Sequence, residues 1–369
     1  MRIRMLAAVC LSVVLWAGCA QRELRSALPS SPGSHFIAFT NFSPFQRTES
    51  ETALVLTSPV IASPIDWNEL VVSWNVPGLT GQMSLRVEAR ALSAARETSF
   101  YDLGVWSPDQ QIRHSVTGQK DAEGEVETDT LILNRQAQRL QVRVTIEGGS
   151  KGNPPPLEFL GLSLANTLSK DPALPPNRAA WGRVIPVPER SQVSYQGGNV
   201  WCSPTSVSMV LAHWANARKR PQWDIDVPEV ARGVYDRHWP GTGNWPFNTA
   251  FAGSLPGMRA YVTRFGDVAE LEDWIAAGLP VVLSVSYPVL KGKNGNPGGG
   301  HLVVCVGFTE NGDVVVNDPW AVLARGERVR KIFSRQNLVK AWRRSHNTVY
   351  LIYPASARIP VDRFGHWER

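Results

Sequence analysis

The feature that most constrains the fold is a change in hydrophobic pattern on either side of a proline-rich segment, residues 169–180. Before this segment, apolar and polar residues alternate, most clearly over 85–91 and 140–147. Such period-two alternation is typical of strands with one buried face. Beyond it, the apolar residues that follow Cys202 recur at helical spacing. Because a chain of 369 residues is long enough for two cores, the sequence predicts two domains joined by a semi-rigid linker.

The first domain, residues 35–168, is predicted to consist of strands. Clusters of glycine, proline, asparagine and aspartate separate about eight β-segments, without a convincing helix between them. This pattern predicts an antiparallel β-sandwich of jelly-roll-like topology. Trp67, Trp74 and Trp106 form either a sugar-binding platform or part of the core, and scattered aromatic residues more often belong to a core. The other predicted strands are 53–56, 69–74, 100–105, 128–133 and 157–165.

The N-terminus has the layout of an export signal, with basic residues followed by an apolar core over 5–15. Gly18 and Cys19 resemble the end of a bacterial lipobox, which predicts lipidation of Cys19 and a place in the cell envelope. The alternative is ordinary secretion after cleavage nearby. The predicted divisions are an export signal (1–18), a tether (19–34), the β-sandwich domain (35–168), a linker (169–180), an α+β domain (181–357) and a C-terminal tail (358–369).

Composition and charge exclude several classes of protein. Hydrophobic residues make up 43% and charged residues 19%, which fits a globular chain and not a disordered one. The apolar run at the N-terminus is too short to span a bilayer comfortably, so a polytopic membrane protein is excluded. Residues 19–175 carry a net charge of −4 and residues 176–369 a net charge of +8. No run of Lys and Arg exceeds three residues, and no nucleic-acid-binding motif accompanies the basic half, so no nucleic-acid partner is predicted.

Only two cysteines, Cys202 and Cys305, lie after the predicted tether. No CxxC pair is present, so no metal site or cofactor is predicted. Pro204 fits the first turn of a helix, which places Cys202 at or just before a helix N-terminus. The helix dipole and the unpaired N–H groups there stabilise a thiolate, the nucleophilic form of cysteine. The alternatives are a buried core cysteine or a Cys202–Cys305 disulfide.

A nucleophilic thiol needs a base, and the sequence offers His301. It follows three glycines and opens an apolar strand, and the Asn-Gly step at Asn311 predicts a hairpin whose return strand ends at Asp318. The open ends of a hairpin lie side by side, so His301 and Asp318 are expected to be neighbours and the carboxylate to orient the imidazole. Cys305 lies about 13 Å along the same strand, too far for a bridge to a thiol that faces His301, and we expect it in the core.

Three other features of this domain complete the prediction. His213 lies on the helix of Cys202, about 16 Å beyond it, and so cannot be its base. Asp267 and Glu270 form a predicted capping box at the start of another helix. Residues 288–300 form a glycine-rich loop, either a mobile wall of the cleft or a connector.

The order of these residues resembles the papain-like cysteine peptidases. Cys-Ser-Pro-Thr at Cys202, Gly-His-Leu-Val-Val at His301 and Val-Asn-Asp-Pro at Asp318 are more closely similar to the bacterial double-glycine-leader (bacteriocin-processing) peptidase-like family, over about 181–357. The resemblance implies Cys202 as nucleophile, His301 as general base and acid, and Asp318 as the residue that orients it. It also implies that Gln196, six residues before Cys202, donates to the oxyanion. No P-loop or membrane span of the transporter-fused members is present, so processing of a Gly-Gly leader is not implied.

The resemblance thus implies an exported cysteine peptidase with a papain-like second domain and a peptide or protein substrate. Two alternatives stay open. Another Cys-His-Asp acyl-transfer enzyme, a transglutaminase or a cell-wall amidase, shares the same residue order. A catalytically inactive cell-surface protein, whose β-sandwich binds a glycan or a protein partner, is the second.

Overall fold

Two antiparallel sheets organise the molecule. The computed structural model describes residues 33–94, 96–148, 157–169, 171–293 and 298–367. The first sheet consists of β1 (Ser34–Phe39), β2 (Gln46–Glu49), β3 (Ala53–Thr57), β4 (Ile61–Asn75), β5 (Ser84–Leu92), β6 (Tyr101–Trp106), β7 (Gly124–Glu127), β8 (Thr130–Glu147) and β9 (Phe159–Ala165). The prediction of an N-terminal antiparallel sheet domain is therefore confirmed.

Strand β8 holds the first sheet together. Its last residues pair with β3 on one side and β5 on the other, while its first part pairs with β4 and β7. The predicted strands 128–133 and 140–147 are thus parts of one strand, because the residues between them continue the pairing with β4, for example Ala137 with Trp67. Strands β1, β2 and β7 were not predicted, and β2 is exposed along its whole length, so it carries no apolar alternation.

The three tryptophans of the first domain belong to its core. Trp67, Trp74 and Trp106 are 0%, 1% and 3% exposed and pack within one cluster of apolar side chains. Such buried rings offer no face to a ligand. The interpretation of these residues as core packing is confirmed, and the sugar-binding platform is wrong for them.

The second domain is built on a six-stranded antiparallel sheet with helices packed against it. Its strands, in spatial order, are β10 (Met258–Arg264), β15 (Thr348–Pro354), β11 (Val281–Ser286), β12 (Gly300–Phe308), β13 (Val314–Asn317) and β14 (Arg330–Phe333). The strand that comes last in the chain, β15, therefore lies inside the sheet. The helices are α1 (Cys202–Arg218), α2 (Val227–Val234), α3 (Trp245–Gly253), α4 (Val268–Ala276), α5 (Tyr287–Leu290) and α6 (Arg335–Trp342).

Helix α1 begins at Cys202, as predicted, and runs through the centre of the second domain. The sequence indicates a single apolar face, but every residue from Ser203 to Ala215 is buried. The reason is that α1 packs against β12 and β15 on one side and against α2 and α3 on others. Small Ser, Thr and Ala side chains permit this close packing on the faces that look polar in sequence.

The predicted cap of α4 is present in a slightly different form. The Asp267 carboxylate accepts a hydrogen bond from the backbone N–H of Ala269 at 2.7 Å. Glu270, however, accepts from the N–H of Gly266, one residue before the position that a capping box would use. Both carboxylates therefore satisfy backbone donors at the start of this helix.

The two domains share an extensive interface. The Asn75 side chain at the end of β4 bonds both the N–H and the carbonyl of Ala260 on β10. A buried ion pair joins Glu69 on β4 to Arg264 on β10. Phe247 and Ala250 of α3 pack into the core of the first domain. The β-sheet domain thus contacts several elements of the second domain, well beyond the linker.

The C-terminal tail closes the same interface. The Phe36 N–H on β1 donates to the His366 carbonyl at 2.6 Å, and the Trp367 ring packs against the rings of Phe36 and Tyr261. The His366 imidazole is buried between Asp171 of the linker and Glu270 of α4, at 2.9 and 3.0 Å. The tail therefore joins the first strand, the linker and the second domain.

The predicted export signal, Cys19 and all but the end of the predicted tether lie outside the described residues. Over the part of the chain that is described, no helix combines the length and the apolar character needed to cross a membrane.

Candidate active site

The hairpin of β12 and β13 brings His301 and Asp318 together. The strands are antiparallel, with Val304 opposite Asn317, and Asp318 directly follows β13. His301 Nε2 lies 2.7 Å from Asp318 Oδ1, and both side chains are buried. Because Nε2 is taken by the carboxylate, Nδ1 is the ring nitrogen left for a second partner.

That second partner is the thiol of Cys202, the half-buried first residue of α1. The thiol is hydrogen-bonded to His301 and to the backbone N–H groups of Leu302 and Ser203. Two contacts fix the start of α1 against the sheet: Ser206 Oγ donates to the Leu302 carbonyl at 3.3 Å, and Ser203 Oγ lies 3.0 Å from the Tyr350 hydroxyl. The structure thus assembles thiol, imidazole and carboxylate in series.

The surroundings favour the charged forms of the thiol and the imidazole. Burial raises the pKa of the Cys202 thiol, but the His301 ring and the backbone donors outweigh it, so the pKa lies below its ordinary value. Burial lowers the pKa of His301, while Asp318 and Cys202 raise it to about 9. A thiolate beside an imidazolium is therefore the stable form of this pair over an interval of pH.

Asp318 is fully enclosed, and four donors converge on its carboxylate. Oδ1 accepts from His301 and from the Trp320 N–H at 2.9 Å. Oδ2 accepts from the Tyr287 hydroxyl and from Lys331 Nζ, both at 2.7 Å. Burial raises the pKa of Asp318, but His301, Lys331 and Tyr287 bring it below its ordinary value. The carboxylate is therefore ionised and held in one orientation.

Tyr287 and Lys331 were not predicted as parts of the site. The apolar run 279–287 indicates a strand through Tyr287, whereas the structure ends β11 at Ser286 and starts the short helix α5 at Tyr287. This helix occupies the start of the loop 288–300, whose residues 294–297 lie outside the described part. The Tyr287 ring lies 4.3 Å from the His301 ring, centroid to centroid. Lys331 lies on β14, and nothing in the local sequence connects it with Asp318.

Gln196, the predicted oxyanion donor, is exposed in the turn that precedes α1. Four residues earlier, Gln192 is 1% exposed. Its backbone N–H donates to the carbonyl of Pro319, the residue after Asp318, and its side-chain Nε2 donates to the Gly198 carbonyl at 2.8 Å. The Gln192 side chain is thus fixed between the segments that carry Asp318 and Cys202, and sequence spacing alone did not single it out.

Cys305 lies in the core, as predicted, and His213 lies away from Cys202, as its position on the helix predicts. Cys305 is 0% exposed within the core of the second domain, and burial raises its pKa to about 12. Cys202 and Cys305 are both free thiols, so the alternative of a disulfide between them is wrong. His213 is buried, and its Nδ1 lies 3.3 Å from the carbonyl of Pro186, away from the thiol.

Among the described residues, no cluster of three or more His, Cys, Asp or Glu side chains is arranged to hold a metal ion.

Each of the two domains matches a known family model. Residues 38–163 match the model of the peptidase C39 N-terminal domain, and residues 184–350 match the model of the peptidase C39-like family. The second match contains Cys202, His301 and Asp318. No curated protein matches the chain.

Two solved structures show partial similarity. A C39-like peptidase from Bacillus anthracis is 16% identical, covering 46% of this chain and 96% of that one with a TM-score of 0.35. A carbohydrate-binding module of the β-sandwich superfamily is 7% identical, covering 36% of this chain and 52% of that one with a TM-score of 0.17. From the two family models and the fold, the chain consists of an N-terminal antiparallel sheet domain followed by a C-terminal C39-like peptidase domain.

Proposed function

We propose that the protein is an exported cysteine peptidase that hydrolyses peptide bonds through a thioester at Cys202. The observation that carries the proposal is the hydrogen-bonded series of the Cys202 thiol, the His301 imidazole and the Asp318 carboxylate at the N-terminus of α1. A nucleophile, a base and a residue that orients the base are the three parts that acyl transfer by a thiol requires. Their location within a match to a peptidase family supports peptides or proteins as substrates.

The reaction follows from this geometry. The Cys202 thiolate attacks the carbonyl carbon of the scissile bond, and the carbonyl oxygen takes up negative charge. The His301 imidazolium gives its proton to the leaving nitrogen as the C–N bond breaks, which leaves a thioester. Neutral His301 then takes a proton from water, the hydroxide oxygen attacks the thioester, and the carboxylic acid leaves as the thiolate is restored. Asp318 holds the ring in orientation through both steps.

The oxyanion needs donors near the thiol, and the chain offers two glutamines. Gln196 has the spacing of the family resemblance, whereas Gln192 is the buried one. The Gln192 amide nitrogen carries two N–H groups, and it donates to the Gly198 carbonyl at 2.8 Å. Removing a side-chain donor from an oxyanion hole costs about 10²–10³ in kcat. Gln196→Ala and Gln192→Ala, compared on one peptide substrate, assign the role to the residue whose loss lowers kcat by that factor.

Export and anchoring rest on the N-terminal sequence. The basic start, the apolar core over 5–15 and the Gly18–Cys19 step support a lipoprotein of the cell envelope. Fractionation of cells that express the wild type or Cys19→Ala tests this part separately. A membrane-bound wild type and a released variant support the anchor, and equal distribution of the two proteins contradicts it.

The test of the enzymatic proposal is digestion of a peptide library by the wild type and by Cys202→Ala. We expect released peptides from the wild type only, with both proteins folded by circular dichroism. Cys305→Ala serves as the matched control, because it removes a thiol that is buried and outside the site, and it should retain cleavage. Cleavage that persists in Cys202→Ala would sink the proposal. Cross-linked amines in place of shorter peptides would point to a transglutaminase.

A further inference from the structure

The fourth donor to Asp318 is a charged one, and it comes from the edge of the sheet. Lys331 lies on β14, opposite Val316 of β13, and its side chain reaches towards the end of β13. Its Nζ lies 2.7 Å from Asp318 Oδ2 and 3.0 Å from the Trp320 carbonyl. The Lys331 side chain is 23% exposed, whereas Asp318 is 0% exposed. The ammonium group of Lys331 therefore lies between the buried carboxylate and solvent.

The contacts of Asp318 leave no acceptor site unused. An ionised carboxylate offers about four lone-pair positions, and His301, Trp320, Tyr287 and Lys331 fill them. Tyr287 supplies a neutral donor and Lys331 a cation. Lys331 therefore both orients Asp318 and supplies a positive charge that is additional to that of the His301 imidazolium.

We infer that Lys331 is a positioning residue of the active site, which acts through Asp318 to balance the charge of the thiolate–imidazolium pair. This inference rests on the proposed function, because it assumes that Cys202 and His301 react as that pair. In the reactive form the site holds a thiolate, an imidazolium, a carboxylate and an ammonium, which sum to zero. Without Lys331 the same buried groups carry an excess negative charge, and an excess negative charge favours the protonated forms of both the thiol and the imidazole.

The direction of the effect follows from that charge. Loss of the Lys331 cation raises the pKa of His301, because a nearby positive charge disfavours the imidazolium. It raises the pKa of Cys202 for the same reason, to a smaller extent since the thiol is farther away. The other charged groups near Asp318 and Tyr287 are Lys291, Lys293 and Glu327. All three are exposed and screened by water, so they balance the buried carboxylate less than Lys331 does.

Three substitutions separate charge from hydrogen bonding. Lys331→Met removes both, Lys331→Gln keeps a donor without charge, and Lys331→Arg keeps the charge. Lys340→Met is the matched control, because Lys340 is an exposed lysine on α6. Tyr287→Phe removes a neutral donor and retains the ring that packs on His301. If Lys331→Met does not fold, Lys331→Gln carries the same comparison.

The measurement is the rate of Cys202 alkylation by iodoacetamide against pH, read on the Cys202 peptide by mass spectrometry in the full-length protein. We expect the transition due to His301 to move up by about one pH unit in Lys331→Met and Lys331→Gln. Lys331→Arg should return the profile towards wild type, and Lys340→Met should match it. Tyr287→Phe should shift the profile less than Lys331→Gln does.

Two failures are distinguishable in this experiment. If the wild-type thiol reacts only above about pH 8, like free cysteine, the proposed function itself is contradicted. If the wild-type thiol is activated but the profiles of Lys331→Met and Lys331→Gln coincide with that of Lys340→Met, the role of Lys331 is wrong while the proposed function stands.

Discussion

At the scale of single residues, the protonation states of the site follow from which ring nitrogen of His301 meets which partner. Asp318 takes Nε2 at 2.7 Å, so the thiol meets the other nitrogen. The buried carboxylate stabilises the imidazolium, and the imidazolium in turn stabilises the thiolate. The two groups therefore titrate as a coupled pair, with the Cys202 pKa lowered and that of His301 raised to about 9.

This coupling predicts a bell-shaped dependence of kcat/KM on pH. Activity should rise as the thiolate forms, below the ordinary thiol pKa of about 8.5, and fall as His301 loses its proton, near pH 9. In His301→Ala, alkylation of Cys202 by iodoacetamide should show a single rise near pH 8.5, because no imidazolium stabilises the thiolate. Initial rates on one peptide substrate from pH 5 to 10, expressed per mole of folded enzyme, check the profile. A wild type with a single rise at about pH 8.5 would show that the pair is not coupled.

The sequence predicted some of these residues and not others, for reasons of distance along the chain. Cys202 was recognisable from the helix that follows it, and the pairing of His301 with Asp318 from the hairpin between them. Tyr287 and Lys331 approach Asp318 from two further elements, α5 and β14. Such contacts depend on the order of strands in the finished sheet, which local periodicity does not encode. Gln192 was missed because two irregular turns separate it from α1.

At the scale of elements, β12 does more than carry His301. Its pairing with β13 shifts by one residue between Cys305 and Gly307, so the strand is irregular there. At Gly307 the strand forms an antiparallel bridge with Val184, and a Cβ on Gly307 would lie 2.1 Å from the Arg183 carbonyl oxygen. The irregularity thus lets one end of β12 pair with residues 183–184, which follow the linker, while its other end positions His301.

Replacing this glycine should therefore destabilise the second domain. We expect Gly307→Ala to lower the free energy of unfolding by about 1–3 kcal/mol, as overpacking against backbone does. Gly300→Ala on the same strand is the control, because a Cβ there meets no atom within 4 Å. Urea unfolding followed by tryptophan fluorescence measures both. Equal stability of the two variants would mean that the contact with Arg183 relaxes without cost.

Two of the strands that the sequence failed to predict, β2 and β7, share a physical character. Strand β2 (Gln46–Glu49) is exposed throughout and β7 (Gly124–Glu127) is only four residues long. Both are held by pairing with a longer neighbour, β3 and β8 respectively. Their formation depends on a partner strand already in place, so hydrophobic alternation within them carries little signal.

At the scale of the whole molecule, the two domains behave as one packed unit. The Arg113 guanidinium of the first domain is fully buried and donates to the carbonyls of Arg232 and Tyr235 in the second. The Asp129 carboxylate accepts from the N–H of Trp245 at the start of α3. Buried polar groups that would lose hydrogen-bond partners if the interface opened make separation costly. The first domain therefore stabilises the second through these buried hydrogen bonds.

The C-terminal tail gives this packing a dependence on pH. Burial lowers the pKa of His366, but Asp171 and Glu270 raise it to about 10, above the ordinary value of 6.5. The charged imidazole therefore stabilises the folded state fully below pH 6.5, and this contribution is lost as pH rises through about 10. Asp362 is the other carboxylate close to this cluster, through Glu270.

We expect His366→Gln to lower the urea midpoint, with the largest difference from wild type near pH 6 and the smallest near pH 10. Glutamine retains a donor but no charge, so the comparison isolates the ion pairs. His238→Gln serves as the control, because His238 is exposed and its Nδ1 contacts a backbone carbonyl, that of Ser115. A difference between His366→Gln and wild type that stays constant from pH 6 to 10 would show that the imidazole acts by packing alone.

The position of β15 has a consequence for the order of events during synthesis. Among the described strands this one comes last in sequence, yet it lies between β10 and β11, and its Tyr350 contacts Ser203, the residue next to Cys202. A chain is synthesised from its N-terminus, so Cys202, His301 and Asp318 all leave the ribosome before the strand that completes their sheet. A nascent chain that stops before β15 therefore contains Cys202, His301 and Asp318 but cannot form the complete sheet around them. The site is therefore complete only after residues 348–354 have been synthesised and have paired with β10 and β11.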